Sequence, residues 1–462
     1  MSFASIDFIV FFIIALSGTA ILQKVSGKMS KHIFLLVASY FFYGYWDWRF
    51  CFLLMFVSVT AYVTALYAKN KVAFIIGVTV PLAVLGVFKY LNFFISSFAT
   101  LVGGNIGTLR IILPVGISFY TFQALSYMID VKRGRMNAEK DFVKLALYIS
   151  FFPQLVAGPI VKAKDFLPQL DEDRKVSLSG IECGLQLMVF GLFKKIVLAD
   201  HLSVFVDDVF HAPSAFNWTT LILAMFSYSL QIYFDFSGYS DIAIGCARCF
   251  GYDFQPNFNL PYISKNVTEF WRRWHISLST WLKECLYIPL GGNRKGKRRQ
   301  YINLFTTMLL GGLWHGANWT FVFWGGLNGL ALCADKLRKK DCRTVLGKTA
   351  SILTTFCFIT FTWIFFRADT FDTAWKIIKG IFTAQSGIVQ NFFWSYVSIV
   401  LVLCATVCAI IRSKKKRDSA VNGYYPLVNL NSVWGLTIFF IACGMVLGLA
   451  FTGEAPFVYF QF

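Results

Sequence analysis

The chain is short of charge. Only 15% of its 462 residues are Asp, Glu, Lys or Arg, against 57% hydrophobic and 18% aromatic. Soluble domains carry about 25% charged residues, so an ordinary soluble fold is excluded, and no polar stretch is long enough to form a separate soluble domain. Acidic residues are the scarcer sign: 24 stand against 43 Lys and Arg, a formal net charge of +19. This excess does not form a nucleic-acid footprint, because the basic residues fall in short loops between apolar runs; no nucleic-acid partner is expected. Several motifs are missing. There is no G-x-S-x-G elbow, no H-E-x-x-H pattern, no Walker spacing around Gly291-Gly292 and no T-V-G-Y-G filter. The eleven cysteines include one C-x-x-C, Cys246 and Cys249, but no second pair at zinc-finger spacing, so they read as small packing residues and no metal is expected. The first apolar run, Ile6 to Leu22, lacks a basic leader and reads as a retained span rather than a cleaved signal. No internal repeat is visible, which weakens a transporter reading.

What is present is a series of long apolar runs, near residues 6–22, 33–46, 50–67, 72–90, 111–130, 184–210, 217–247, 301–317, 318–335, 348–366, 391–411 and 432–452. They are too long and continuous for barrel strands, so the expected fold is an all-α polytopic membrane protein with about eleven or twelve transmembrane helices of ~20 residues each. A single membrane domain over residues 1–462 is expected. Basic clusters such as Lys24, Lys28 and Lys31, then Lys132, Arg133 and Arg135, then Lys414 to Arg417 belong inside the cell, which places both termini outside. Segment 142–160 has basic residues on both sides and is broken by Pro153, Gly158 and Pro159; it reads as a re-entrant element, since irregular backbone at membrane depth must be covered by protein or line a cavity. Residues 264–300 are too polar to span. There Trp271, Trp274, Trp281 and Tyr287 alternate with Arg272, Arg273 and Lys283, a pattern for short amphipathic helices in the cytoplasmic interface, ended by Gly291-Gly292-Asn293.

Four places carry potential chemistry. His315, one of five histidines, lies in the apolar stretch LLGGLWHGANWTFVFWGG. Ionisable groups at membrane depth are costly and usually face a pathway, so His315 is either a general base or a packing histidine hydrogen-bonded to a neighbour. His275 follows Trp274 in the interfacial segment, as a headgroup-level residue or a second polar group on the same pore. Asp235 and Asp241, in QIYFDFSGYSDIAIG, suggest buried ion pairing or hydrogen bonding more than a metal. In the final FTGEAPFVYFQF, Tyr459 is either an interfacial aromatic anchor or a nucleophile that takes a group and passes it on.

The strings LPVGISFYTFQALSYMID, SFFPQLVAGPI, QIYFDFSGYSDIAIG, FWRRWHISLSTWLKECLYIPLGGNRKG, LGGLWHGANWTFVFWGGLNG and FTWIFFRA, over residues 113–368, resemble the membrane-bound O-acyltransferase (MBOAT) superfamily. The likeness is greatest to its bacterial branch, that of the alginate O-acetyltransferase membrane subunit and the teichoic-acid D-alanyl transfer protein. The C-terminal span and aromatic tail, 432–462, look similar too. The resemblance implies a ring of tilted helices around a central tunnel in a multi-pass protein of the bacterial cytoplasmic membrane. It implies His315 as the catalytic histidine, His275 as the second characteristic histidine and Tyr459 as a transient acyl carrier. It implies a cytoplasmic acyl thioester donor, acetyl-CoA or an acyl carrier protein, and no tightly bound cofactor. The acceptor it implies is an extracytoplasmic glycopolymer, cell-surface polysaccharide or peptidoglycan, reached through an esterase-like partner. Donor-side candidates are Trp274, Arg273 and Arg294, with the basic run to Arg299 able either to steer an anionic donor or to anchor the segment to lipid. The competing readings are D-alanyl transfer to teichoic acid, a transporter or flippase for an activated acyl or sugar group, and a non-catalytic scaffold.

Overall fold

A computed structural model describes residues 1, 3–25, 27–104, 107–156, 158–172, 174–337, 344–415, 428–430 and 432–453, with backbone alone over 405–415. Among the described residues the fold is helical throughout, with no strand and one isolated parallel bridge, Phe216 to Ile388. Each predicted apolar run is a helix or the larger part of one. Four are long and apolar enough to cross a bilayer by length and composition: Ile6–Val25, Arg49–Leu66, Lys71–Val102 and Val345–Arg367. Phe393–Cys404 and Val433–Gly448 are apolar but shorter. The remaining runs form helices diluted by polar groups that the protein interior covers, as Trp218–Cys249 does with Gln231, Asp235 and Ser240. A helix packed inside protein does not need an apolar surface all round. By contrast Ile9, Val10, Ile13 and Ile14 on the first helix and Val72, Ile75, Ile76 and Leu82 on the fourth stand exposed. Apolar faces of this extent aggregate in water and are at home against lipid tails.

The chain forms two compact units. The first comprises Met1–Val189, Tyr239–Gln255 and Pro426–Phe439. Its core is aromatic: Phe151 stacks on Phe166 at 5.4 Å between ring centroids, and Phe11 meets Phe152 edge-on at 5.1 Å. The helix Ile117–Lys132 is buried on nearly every side, including Ser118, Thr121, Gln123 and Ser126. Segment 142–160 breaks where its composition predicts. Phe142–Ser150 ends at Phe151, a one-turn helix Phe152–Leu155 follows with Pro153 in its first turn, and the chain then runs irregularly. The break is held by Phe152 N, which donates to Ser39 Oγ at 3.1 Å, and by Gln154 Nε2, which donates to Tyr148 O.

The second unit comprises Phe190–Gly238, Pro256–Tyr425 and Phe440–Phe462. The 264–300 segment forms short helices, Val267–Arg273 and Ile276–Trp281, a π-helical turn Leu282–Tyr287, and a turn through Gly291 and Gly292 at positive φ. The helix Gly296–His315 packs along Trp319–Leu337 at very short range. A Cβ on Gly312 would lie 2.2 Å from Phe321 O, and one on Gly325 would lie 2.4 Å from Met308 O. Small residues at such crossings let backbones approach. A further helix, Phe371–Phe382, was not among the expected runs. It buries Ala374, Ile377 and Gly380 and leaves Phe371, Trp375 and Phe382 exposed.

One position tests this packing directly. Gly116 has φ +74, and a Cβ there would lie 2.3 Å from Leu155 O, whereas Gly134 has φ +67 with nothing within 4 Å. Left-handed backbone costs an L-residue roughly 1–2 kcal/mol. Gly134→Ala is expected to lose about that much, and Gly116→Ala clearly more, up to ~3 kcal/mol, measured as thermal unfolding of detergent-purified protein. Equal losses would show that the 116–155 approach does not constrain the fold.

Candidate active site

His315 is the last residue of the helix Gly296–His315, whose first turn carries Lys297, Arg298 and Arg299. Those 20 residues span ~30 Å at 1.5 Å per residue, so the imidazole lies a membrane's hydrocarbon thickness from the basic cluster. The helix stops because Gly316 adopts an extended conformation. Asn318 then opens the next helix: its Oδ1 accepts from Thr320 N at 3.1 Å, and its Nδ2 donates to Asp369 O at 2.7 Å. Gly316, four residues after Gly312, faces the ring of Phe321, where a Cβ would come within 2.2 Å.

The His315 ring is 4% exposed. Trp314 lies 5.0 Å away between centroids, Trp324 5.2 Å away at 86°, and Phe366 5.2 Å away. Behind this shell Trp324 stacks on Trp363 at 5.4 Å, and Trp363 packs on Trp274 at 5.1 Å. Three aromatic rings thus surround the imidazole.

His275 joins the same shell although forty residues separate it from His315. It caps the helix Ile276–Trp281 with φ +42. Its ring meets Phe236 edge-on at 4.5 Å and lies 6.2 Å from Trp314, so that Trp314 touches both imidazoles' surroundings. His275 Nδ1 is 3.2 Å from Asn257 Oδ1, which also accepts from Ser277 N at 3.2 Å and Ser277 Oγ at 2.9 Å. An atom accepting from a backbone N–H is the amide oxygen. Nδ1 of His275 therefore carries the hydrogen, and Nε2 is the acceptor nitrogen. Burial pushes this imidazole down to about 3 and holds it neutral.

A cavity of about 580 Å³ opens beside these elements. Its lining includes Trp271, Arg272, Lys283, Tyr287, Arg294 and Lys336, four cations without an accompanying acid. Thr307 and Met308, two turns before His315, also line it, while His315 does not. Leu282 belongs to the lining as well and lies 3.2 Å from where a Cβ of Gly311 would stand, one turn before His315. Of the three donor-side candidates, Arg294 lines the cavity. Arg273 lies outside the lining, paired with Glu269 at 2.9 Å and donating to Asn259 O at 3.1 Å. Trp274 is buried in the aromatic stack. Tyr459 lies outside the described residues.

Other groups were not singled out by sequence. Lys195, in the π-helical turn Phe193–Ala199, is 2.6 Å from Asp200 and 2.7 Å from Asp235, all three nearly buried. Asp235 is thus part of a buried ion cluster that ties two helices together. Arg367, in the FTWIFFRA string, pairs with Asp207 at 2.6 Å and lies over the Phe210 ring at 5.6 Å. Phe366 beside it was the available signal for the shell around His315.

A buried histidine among aromatic rings thus stands near a cationic cavity in a helical fold. Residues 137–371 match the family described as MBOAT, membrane-bound O-acyltransferase family. The chain is 39% identical over 397 residues to the probable alginate O-acetylase AlgI of Pseudomonas aeruginosa, covering 83% of this chain and 75% of that one. It is 37% identical over 401 residues to the peptidoglycan O-acetyltransferase of Helicobacter pylori, covering 79% and 76%. Over 254 residues it is 30% identical to the teichoic acid D-alanyltransferase of Streptococcus thermophilus, covering 51% and 60%. The chain belongs to the membrane-bound O-acyltransferase family and is a membrane acyltransferase.

The His275 geometry has a pH signature. With its imidazole lowered from 6.5 to about 3, the folded chain binds fewer protons than the unfolded chain between those values. Stability is therefore full above the unfolded value and falls as pH drops through that window, by up to ~1.4 kcal/mol per pH unit. Thermal unfolding followed from neutral to acid pH should show a steeper decline for the wild type than for His275→Asn. Parallel declines would remove His275 as the source.

Proposed function

We propose that this chain transfers an acyl group, acetyl in the first instance, from a cytoplasmic thioester to an extracytoplasmic acceptor, for O-acetylation of a cell-surface polysaccharide or peptidoglycan. The observation that carries the reading is the position of His315. Its helix starts in a basic cluster, runs past a cavity bearing Arg272, Lys283, Arg294 and Lys336, and ends at a buried imidazole. Cations without counter-acids suit the phosphates of coenzyme A or an acidic carrier protein. The names of the relatives, alginate O-acetylase and peptidoglycan O-acetyltransferase, support a glycopolymer acceptor.

In this reading His315 takes the proton of the acceptor hydroxyl. The oxygen attacks the thioester carbonyl carbon, the tetrahedral adduct collapses to an ester, and the departing thiolate takes the proton back from the imidazolium. The balance is thioester plus alcohol giving ester plus thiol. Tyr459 is the first acceptor, and an extracytoplasmic esterase-like partner carries the acyl group on to the glycan. Neutral His275, its N–H committed to Asn257, fixes the wall of the site and offers Nε2 only as an acceptor. The membrane in question is the bacterial cytoplasmic membrane.

The test is acylation of the purified chain with radiolabelled acetyl-CoA. Wild type is expected to retain label on the Tyr459 peptide. Tyr459→Phe should lose retained label, and His315→Ala should lose turnover by ~10³-fold or more. Label accepted only from a D-alanyl carrier protein would move the donor assignment, and an unaltered rate in His315→Ala would defeat the enzymatic role given to that residue.

A further inference from the structure

Two buried donors on the helix that follows His315 have no use in the scheme above. Thr320 and Trp324 lie one turn apart on the helix Trp319–Leu337 and so share a face. Thr320 is 1% and Trp324 2% exposed. Neither Thr320 Oγ1 nor Trp324 Nε1 meets a hydrogen-bond partner among the described residues. An indole N–H can only donate, so no neighbouring donor can satisfy it. Leaving such a group buried without an acceptor is costly, and most buried polar atoms in native proteins are not left so.

The place of these groups says what they lack. The Trp324 ring is 5.2 Å from the His315 ring at 86°. Side chains on a helix lean toward its N-terminus, and here the N-terminus is the turn 316–318 that directly follows His315. Both donors thus lean toward that turn. His275 cannot serve as a donor there, because it spends its N–H on Asn257 Oδ1 at 3.2 Å. What a base-driven attack on a thioester creates, within a bond or two of the base, is a carbonyl oxygen bearing full negative charge. It needs donors held in place beforehand in a dry setting.

We propose that the Trp324 indole N–H and the Thr320 hydroxyl form the oxyanion-binding pair of the acyl-transfer step. The inference rests on the acyltransferase reading of His315. When the acceptor oxygen bonds to the carbonyl carbon, the C=O π pair moves onto oxygen and is held by the two hydrogen bonds. It returns as the C=O bond re-forms and the C–S bond breaks, with the thiolate protonated by the His315 imidazolium. Trp324 is then a catalytic residue, and its stacking on Trp363 at 5.4 Å and 19° fixes the indole plane before substrate arrives.

The experiment compares wild type, Trp324→Phe, Thr320→Val and His315→Ala in the acetyl-CoA transfer assay, each checked by gel filtration and thermal unfolding. Trp324→Phe keeps an aromatic ring and removes the N–H; its kcat is expected to fall ~10²-fold, with acetyl-CoA affinity within about twofold. Thr320→Val should lower kcat in the same manner. A second readout is the trifluoromethyl ketone analogue of acetyl-CoA, which adds a nucleophilic oxygen to give a stable oxyanion. Wild type should prefer it strongly over acetyl-CoA, and Trp324→Phe should lose most of that preference; a role limited to packing would leave the preference intact. Should Trp324→Phe not fold, Thr320→Val and the analogue decide the matter. Both variants keeping kcat and analogue preference near wild type, while His315→Ala is inactive, would overturn the pair. A wild type with no transfer at all would instead remove the acyltransferase reading itself.

Discussion

An imidazole withheld from water has to be positioned and surrounded by protein, and much of the second unit serves that requirement. The rings of Trp314, Trp324 and Phe366 enclose His315. The glycine-lined crossing of its helix with Trp319–Leu337 brings the backbones close enough for those rings to reach it. Asn257 fixes the hydrogen of His275 at Nδ1. The same desolvation that makes such a group expensive is what strengthens every charge that develops beside it.

Buried charge is treated differently a short way along the chain. Lys195, Asp200 and Asp235 compensate one another at 2.6 and 2.7 Å. This is a structural solution: ions taken out of water are tolerated when paired closely. It leaves the region of His315 to neutral polar groups.

How much of this was legible in the sequence follows from range. Contiguous signals were readable: the apolar runs, the break before Pro153, the short helices of 264–300 and the tripeptide around His315. Signals that depend on partners far along the chain were not. Asn257 gave no hint that it would hold His275 eighteen residues on. Lys195 lies inside the apolar run 184–210 and drew no notice there; a π-helical turn places it against Asp235. The helix Phe371–Phe382 escaped because it is short and its apolar residues, gathered on one face, interleave along the chain with Asp372, Lys376 and Lys379, so no run stands out. Arg273 and Trp274 attracted notice by type, yet the helix Val267–Arg273 directs Arg272, rather than Arg273, to the cavity. The family resemblance named the chemistry, but the shell that supports it had to be seen in three dimensions.

The cavity's four unbalanced cations carry a practical consequence. A pocket that attracts by net charge does not discriminate well among polyphosphates, so nucleotides and inorganic polyanions in a crude membrane fraction will compete for it. Its pull also weakens as ions screen it, over ~8 Å at physiological ionic strength. Selectivity among the anions it attracts must then come from its apolar lining, Leu282 and Met308 included.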